Sequence, residues 1–131
     1  MKMYCIFSKE AIKLMNGNRG KMASMAGHAY LHAYWDADQK AWDNRYHPDA
    51  CWAAKYRHGG LAKKVTVFVD TTEELIELYE KLKIDSRHAG ITLVKDAGLT
   101  VFDGPTVVCM GYGPVPDDRV PEEIANLKVL I

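Results

Sequence analysis

Val65-Thr66-Val67-Phe68-Val69, followed directly by Thr71-Thr72-Glu73-Glu74-Leu75, decides the fold class of this chain. The first run is β-branched or aromatic throughout and alternates, which predicts a strand. Threonine, two residues, then glutamate is a capping box, which opens a helix. Leu75, Leu78, Tyr79 and Leu82 follow at helical spacing. A strand feeding a helix this quickly is the repeating unit of an α/β protein.

Toward the N-terminus, Met3 to Phe7 is a second candidate strand. Lys9 to Gly20 reads as a polar loop holding the turn signal Asn16-Gly17-Asn18-Arg19-Gly20. A helix is expected from Lys21 to about Lys40, where Ala23, Ala26, Gly27, Ala29 and Ala33 leave it small-sided enough to lie close on a sheet. Over 41–62, Trp42, Tyr46, Trp52 and Tyr56 fit a second helix interrupted near His47-Pro48, because proline breaks a helix interior. Asp49 is a candidate cap for its restart and Gly59-Gly60 for its end.

Toward the C-terminus, Ile91 to Val94 is a short strand. Gly98 to Phe102 and Thr106 to Tyr112 flank Asp103-Gly104, a hairpin signal. Pro121-Glu122-Glu123-Ile124 starts a last helical turn before an apolar end, Leu127 to Ile131. Early alternation and a late hairpin predict an α/β sandwich with a mixed sheet. The 131 residues suit a single domain spanning 1–131.

Composition narrows the function classes. Hydrophobic residues make up 48% of the chain, enough for a core, yet no apolar run reaches the roughly 18–20 residues of a membrane span. Cys5, Cys51 and Cys109 lie far apart in apolar or aromatic surroundings, as buried reduced thiols of a cytoplasmic protein do. The formal net charge is zero, which argues against a tight nonspecific nucleic-acid binder. That zero hides an asymmetry. Residues 1–64 carry 11 Lys+Arg against 5 Asp+Glu, and residues 65–131 carry 6 against 12. Either the first half presents a cationic face to phosphates, or the halves interleave and the charges mix.

Three groups of side chains bear on chemistry. Lys21 follows a glycine-containing turn at a helix start, where free N–H groups and the helix dipole favour anions; it is also placed as a solvated surface lysine would be. Asp96 ends a strand before Ala97-Gly98, fitted either to orient a lysine or a water or to bond its own turn. His28 and His32 stand four apart with Asp36 one turn on. No glutamate follows His28 as in a zincin helix and no fourth ligand is evident, so no metal is expected there.

Two blocks together resemble the type 2 peptidyl-tRNA hydrolases of archaea and eukaryotes. In the first, Gly20, Lys21, Ala23, His28 and Ala29 match Gly-Lys-x-Ala-Ala-Gln-x-x-His-Ala in register. In the second, Asp96, Ala97, Gly98 and Thr100 match Asp-Ala-Gly-Arg-Thr-Gln, Thr106 matches a following threonine, and Gly111-Tyr112-Gly113-Pro114 resembles the end of the last strand. Lys64 with Val65, Val67 and Val69, and the ending Leu127-Lys128-Val129-Leu130, extend the likeness over nearly the whole chain. Met25, Leu99, Val101 and Val108 stand where the family has polar residues, and the segment around 36–60 is longer and more aromatic than the family leads one to expect.

The resemblance implies a three-layer sandwich, with a four-stranded mixed sheet and helices on both faces. It also implies hydrolysis of the ester joining a peptide to the 3′ ribose of tRNA, without metal or cofactor. Lys21, Asp96 and Thr100 map to its proposed catalytic groups, Asp96 and Thr100 positioning water while Lys21 stabilises the oxyanion or keeps Asp96 ionised. Arg19, Gly20, His28, Lys63, Lys64 and Thr106 are the candidate substrate-binding residues, tRNA the partner and a homodimer the candidate assembly. Two other readings stay open: a noncatalytic relative that binds RNA or a protein through the same fold, and a hydrolase for another small acyl ester or amide.

Overall fold

The computed structural model describes residues 1–59, 61–98 and 104–131. In chain order the elements are β1 (Lys2–Ser8), α1 (Lys9–Leu14), α2 (Arg19–Asp43), α3 (Trp52–His58), β2 (Lys64–Val69), α4 (Thr72–Asp85), β3 (Gly90–Asp96), β4 (Thr106–Val115), α5 (Glu122–Ala125) and β5 (Lys128–Val129), with a 3-10 turn at Asp117–Arg119. Thr71 caps α4 by accepting from the Glu74 N–H at 3.1 Å, as the threonine-to-glutamate spacing predicts.

The sheet is mixed and open, in the order β3-β4-β1-β2-β5. β1 and β2 run parallel, and the remaining pairs are antiparallel. Five strands, not four, are present among the described residues. The fifth forms because the apolar C-terminal tail lies along the outer edge of β2, with Val67 opposite Val129; this covers hydrogen-bonding groups that an edge strand otherwise exposes. β4 pairs with β3 as a hairpin. Of the strand expected over 98–102, Gly98 lies in a bend and the rest falls outside the described residues.

Side-chain alternation along β1 divides the core into two faces. Tyr4 and Ile6 pack with Leu75 and Leu82 of α4, with Met110 and Tyr112. Cys5 and Phe7 pack with Met25 and Ala29 of α2, with Val94 and Cys109. Helices thus cover both faces. The α2 side is unusually close. Ala29, Ala33 and Ala37 recur every four residues and are fully buried, and they rest on glycines. A Cβ at Gly90 would collide with the Ala33 backbone, and one at Gly111 with the Ala29 carbonyl.

Two local expectations are corrected. Residues 9–14 form a helix rather than a loop. Ser8 caps it by accepting from the Ala11 N–H at 3.1 Å, but six residues with one fully buried apolar face position are too short to show a period. Over 41–62, α2 runs to Asp43 and α3 restarts only at Trp52 behind Cys51. Asp49 is not its cap; its carboxylate faces Arg119 at 3.6 Å and its N–H donates to His47 Nδ1. Cys5 and Cys109 are buried, while Cys51 is partly exposed.

Candidate active site

Asn16 and Gly17 both take positive φ, at 54° and 65°, and this left-handed turn ends α1 and reverses the chain. Asn18 then caps α2, its side-chain oxygen accepting from the Lys21 N–H at 2.9 Å. Lys21 therefore sits in the first turn of α2 with its backbone fixed. On the sheet, Asp96 closes β3 opposite Thr106 of β4. Because α2 runs antiparallel to β3 above it, the start of the helix lies over the end of that strand.

There the Lys21 ammonium contacts Asp96 Oδ1 directly, with side-chain exposures of 17% and 7%. Asp96 Oδ2 accepts the Gly98 N–H at 2.8 Å. Both readings of Asp96 hold at once, one oxygen oriented toward the lysine and the other closing its own turn. The turn requires glycine, since Gly98 has φ +79° and a Cβ would strike Gly104. The Lys21 hydrogen bond holds the Asp96 carboxyl below its ordinary value of 3.8, assisted by the Gly98 N–H and opposed by burial. Asp96 is consequently a carboxylate at neutral pH.

Other candidates are distributed unequally around this pair. Thr106 is the cross-strand neighbour of Asp96 and donates to the Gly104 carbonyl at 2.9 Å. Arg19 and Gly20 are exposed in the same first turn of α2. His28 is exposed farther along α2, its ring 5.8 Å from that of His32, which stacks on Trp35. Lys63 and Lys64 are elsewhere. Lys64 pairs with Met3 at the beginning of β1, whereas Asp96 lies beyond the level of Phe7 at its end. At about 3.3 Å per residue, those two ends are roughly 17 Å apart. Thr100 lies outside the described residues.

Metal-ligating types gather elsewhere too. Asp36 accepts from the Ile91 N–H and pairs with Lys40, each at 2.9 Å, so it is committed to holding α2 against β3. His47, Asp49 and His88 bring donor atoms within 4.8 Å of one another, the grouping among the described residues that could hold a metal ion. Asp49 is already engaged with Arg119, and His47 Nδ1 with the Asp49 N–H. His88 is remote in sequence from the other two, and only the tertiary structure brings it there.

The family model for peptidyl-tRNA hydrolase PTH2 matches residues 1–130. The chain belongs to the peptidyl-tRNA hydrolase PTH2 family. It is 30% identical to "Peptidyl-tRNA hydrolase" of Methanocaldococcus jannaschii, over 99% of this chain and all of that one. It is 31% identical to the protein of that name from Metallosphaera sedula, over 88% and 92%, and 34% identical to that from Methanopyrus kandleri, over 86% and 87%.

As a PTH2 member the chain departs from the family pattern less severely than four lost polar groups suggest. Met25 and Val108 are core residues, 5% and 0% exposed, packed among Phe7, Ala29 and Cys109. Neither change strips an open cleft. Leu99 and Val101 fall outside the described residues. Reading the sequence alone leaves Asn18, which caps the helix beneath Lys21, inside a general turn signal; asparagine three residues before Lys21 is the signal that identifies it.

Proposed function

We infer that this chain is a peptidyl-tRNA hydrolase, cleaving the ester between a peptide and the 3′ ribose of tRNA to release peptide and free tRNA. The observation that carries the reading is the shielded Lys21–Asp96 pair in a chain matched by the family model from end to end. Asp96, ionised and fixed through both oxygens, orients a water and accepts its proton as the water adds to the ester carbonyl. Lys21 sets a positive charge beside the oxyanion that forms. Collapse expels the ribose 3′ oxygen, which takes the proton back. Thr100 is proposed as a second water contact, and Arg19, Gly20, His28 and Thr106 as substrate contacts at this end of the sheet. Residues 1–131 act as one domain in this reading. No step calls for a metal or cofactor, because an ester is an activated acyl group.

The low proton affinity of Asp96 makes it a weak base, so that positioning of the water and electrostatics add to its part in taking up the proton. No helix among the described residues is long and apolar enough to cross a membrane, and the reading places the enzyme in the cytoplasm with translation. A homodimer belongs to the same reading and is decided by sedimentation of the purified chain. The direct test is release of tRNA from an N-blocked aminoacyl-tRNA by wild type and by Lys21→Ala. Turnover that collapses in the variant supports the reading. A folded wild type without turnover leaves the noncatalytic relative in its place.

A further inference from the structure

Beside α2, a cleft of about 530 Å³ opens between α2, α3 and the start of β2. Its lining includes Tyr30, Leu31, Tyr34, Tyr56, Arg57 and Lys64. Leu31 is 45% exposed, although it is a leucine facing the opening. The tyrosines are held in place by their hydroxyls. Tyr30 bonds Thr66 at 2.9 Å, Tyr56 donates to the Lys63 carbonyl at 3.1 Å, and Tyr34 accepts from Arg57 at 2.6 Å. Tyr30 and Tyr34 are partly exposed along the cleft and Tyr56 is nearly buried at its base, with Lys64 Nζ 5.9 and 5.8 Å from the Tyr30 and Tyr56 ring centroids. Ala62, at the rim, is held at φ 43°, a conformation that a non-glycine residue adopts at a cost; its carbonyl accepts from Lys64 Nζ at 3.0 Å.

The rim is cationic. Lys55, Arg57, Lys63 and Lys64 are all exposed around it. Asp38 faces Arg57 at 3.4 Å, with both side chains about half exposed. An exposed pair of that kind is weak and is readily exchanged for a phosphate. Aromatic walls with basic groups at the mouth are the requirements of a single-stranded nucleic acid, whose bases stack while its phosphates pair. An apolar peptide has use for the walls but not for the charges. The segment around 36–60, long and aromatic for the family, supplies Asp38, Tyr56 and Arg57 to this place.

We propose that this cleft binds single-stranded RNA, stacking a base against the tyrosine lining and laying its phosphates along Arg57 and Lys64. Leu31 lies about 15 Å from Lys21 along α2, at roughly 1.5 Å per residue. One strand therefore has room to contact the cleft while its end lies at Lys21 and Asp96. The inference rests on the hydrolase reading only for the identity of that RNA; binding itself is independent of catalysis.

The test is fluorescence anisotropy with a labelled ribotrinucleotide, with AMP and intact tRNA as separate competitors. Wild type binds the trinucleotide, and Leu31→Asp and Tyr34→Leu each weaken it by roughly 5- to 100-fold, the range that one stacked base contributes. Arg57→Gln and Lys64→Gln weaken it and lower the slope of affinity against salt. A melt of each variant separates this from unfolding, and Arg57→Gln, on an exposed side chain, keeps the test valid if Tyr34→Leu does not fold. Unchanged affinity in the folded variants overturns the proposal. So does AMP competing as well as the trinucleotide, which makes a free nucleotide the ligand. Trinucleotide binding without hydrolysis of N-blocked aminoacyl-tRNA leaves this inference intact and removes the hydrolase reading; hydrolysis without trinucleotide binding does the reverse.

Discussion

Where β1 ends, Lys21 and Asp96 meet with 17% and 7% of their side chains exposed; where β1 begins, Lys63, Lys64 and Arg57 stand in solvent around a tyrosine-lined cleft. The same helix borders both places. Opposite charges shielded from water interact strongly at short range, which suits a pair meant to act on one reacting bond. Exposed cations are individually screened within about 10 Å at ordinary salt, but together they attract a polyanion. One end of the sheet thus holds a shielded ion pair and the other an open cluster of exposed cations. Of the eleven basic residues in 1–64, Lys55, Arg57, Lys63 and Lys64 gather at this second end, while Arg19 and Lys21 lie at the first.

The comparison breaks most sharply at the shielded end. Lys21→Ala and Asp96→Asn should each lower kcat by roughly 10²–10⁴, the scale of a positioned acid–base or oxyanion group. If the two act as one unit, the double variant is little worse than either single, since such losses do not add. Single-turnover hydrolysis measures both; additive losses would separate the roles of the two residues.

The next largest effect concerns packing beneath α2. Ala33→Leu forces a branched side chain against Gly111 of β4, and should cost roughly 1–3 kcal/mol or more by overpacking. Met25→Gln puts an amide among Phe7, Val108 and Cys109 and should likewise lower stability by roughly 1–3 kcal/mol rather than raise turnover. By contrast Trp42→Ala, at a site 66% exposed, should change stability by no more than about 0.5 kcal/mol. Thermal melts rank the three, and a Trp42 variant as unstable as Ala33→Leu would mean that the outer face of α2 is covered.

Two pH effects are smaller. The Asp96 carboxyl is lowered below 3.8, chiefly by the Lys21 hydrogen bond. Its stabilising contribution is present above the unfolded value and is lost as pH falls through the folded one. In Lys21→Met the largest cause of that depression is lost while burial and the Gly98 N–H remain, so an NMR titration of Asp96 should move upward. His88 is lowered from 6.5, first by burial and then by the neighbouring His47. The folded state thus resists protonating it, and stability should begin to fall as pH drops below about 6.5 and continue through its folded value. His88→Phe should flatten that part of a melting-temperature profile; an unchanged slope would assign it to another group.

Much of this architecture is legible without coordinates. The alternation of Val65 to Val69, the threonine-to-glutamate cap of α4 and the alanine spacing of α2 are local signals, complete within one or two turns of chain. The two motif blocks likewise place Lys21 after a turn and Asp96 at a strand end. Tertiary structure alone decides what depends on distant segments meeting. It brings Lys21 onto Asp96, because α2 is laid antiparallel over β3. It converts Met25 and Val108 from lost site residues into core, because they face the sheet-to-helix layer. It moves Lys63 and Lys64 to the other end, because β2 pairs in parallel with β1 from Met3 onward. It also adds β5, since a two-residue strand has no period to read and forms only because the edge of β2 is there to receive it.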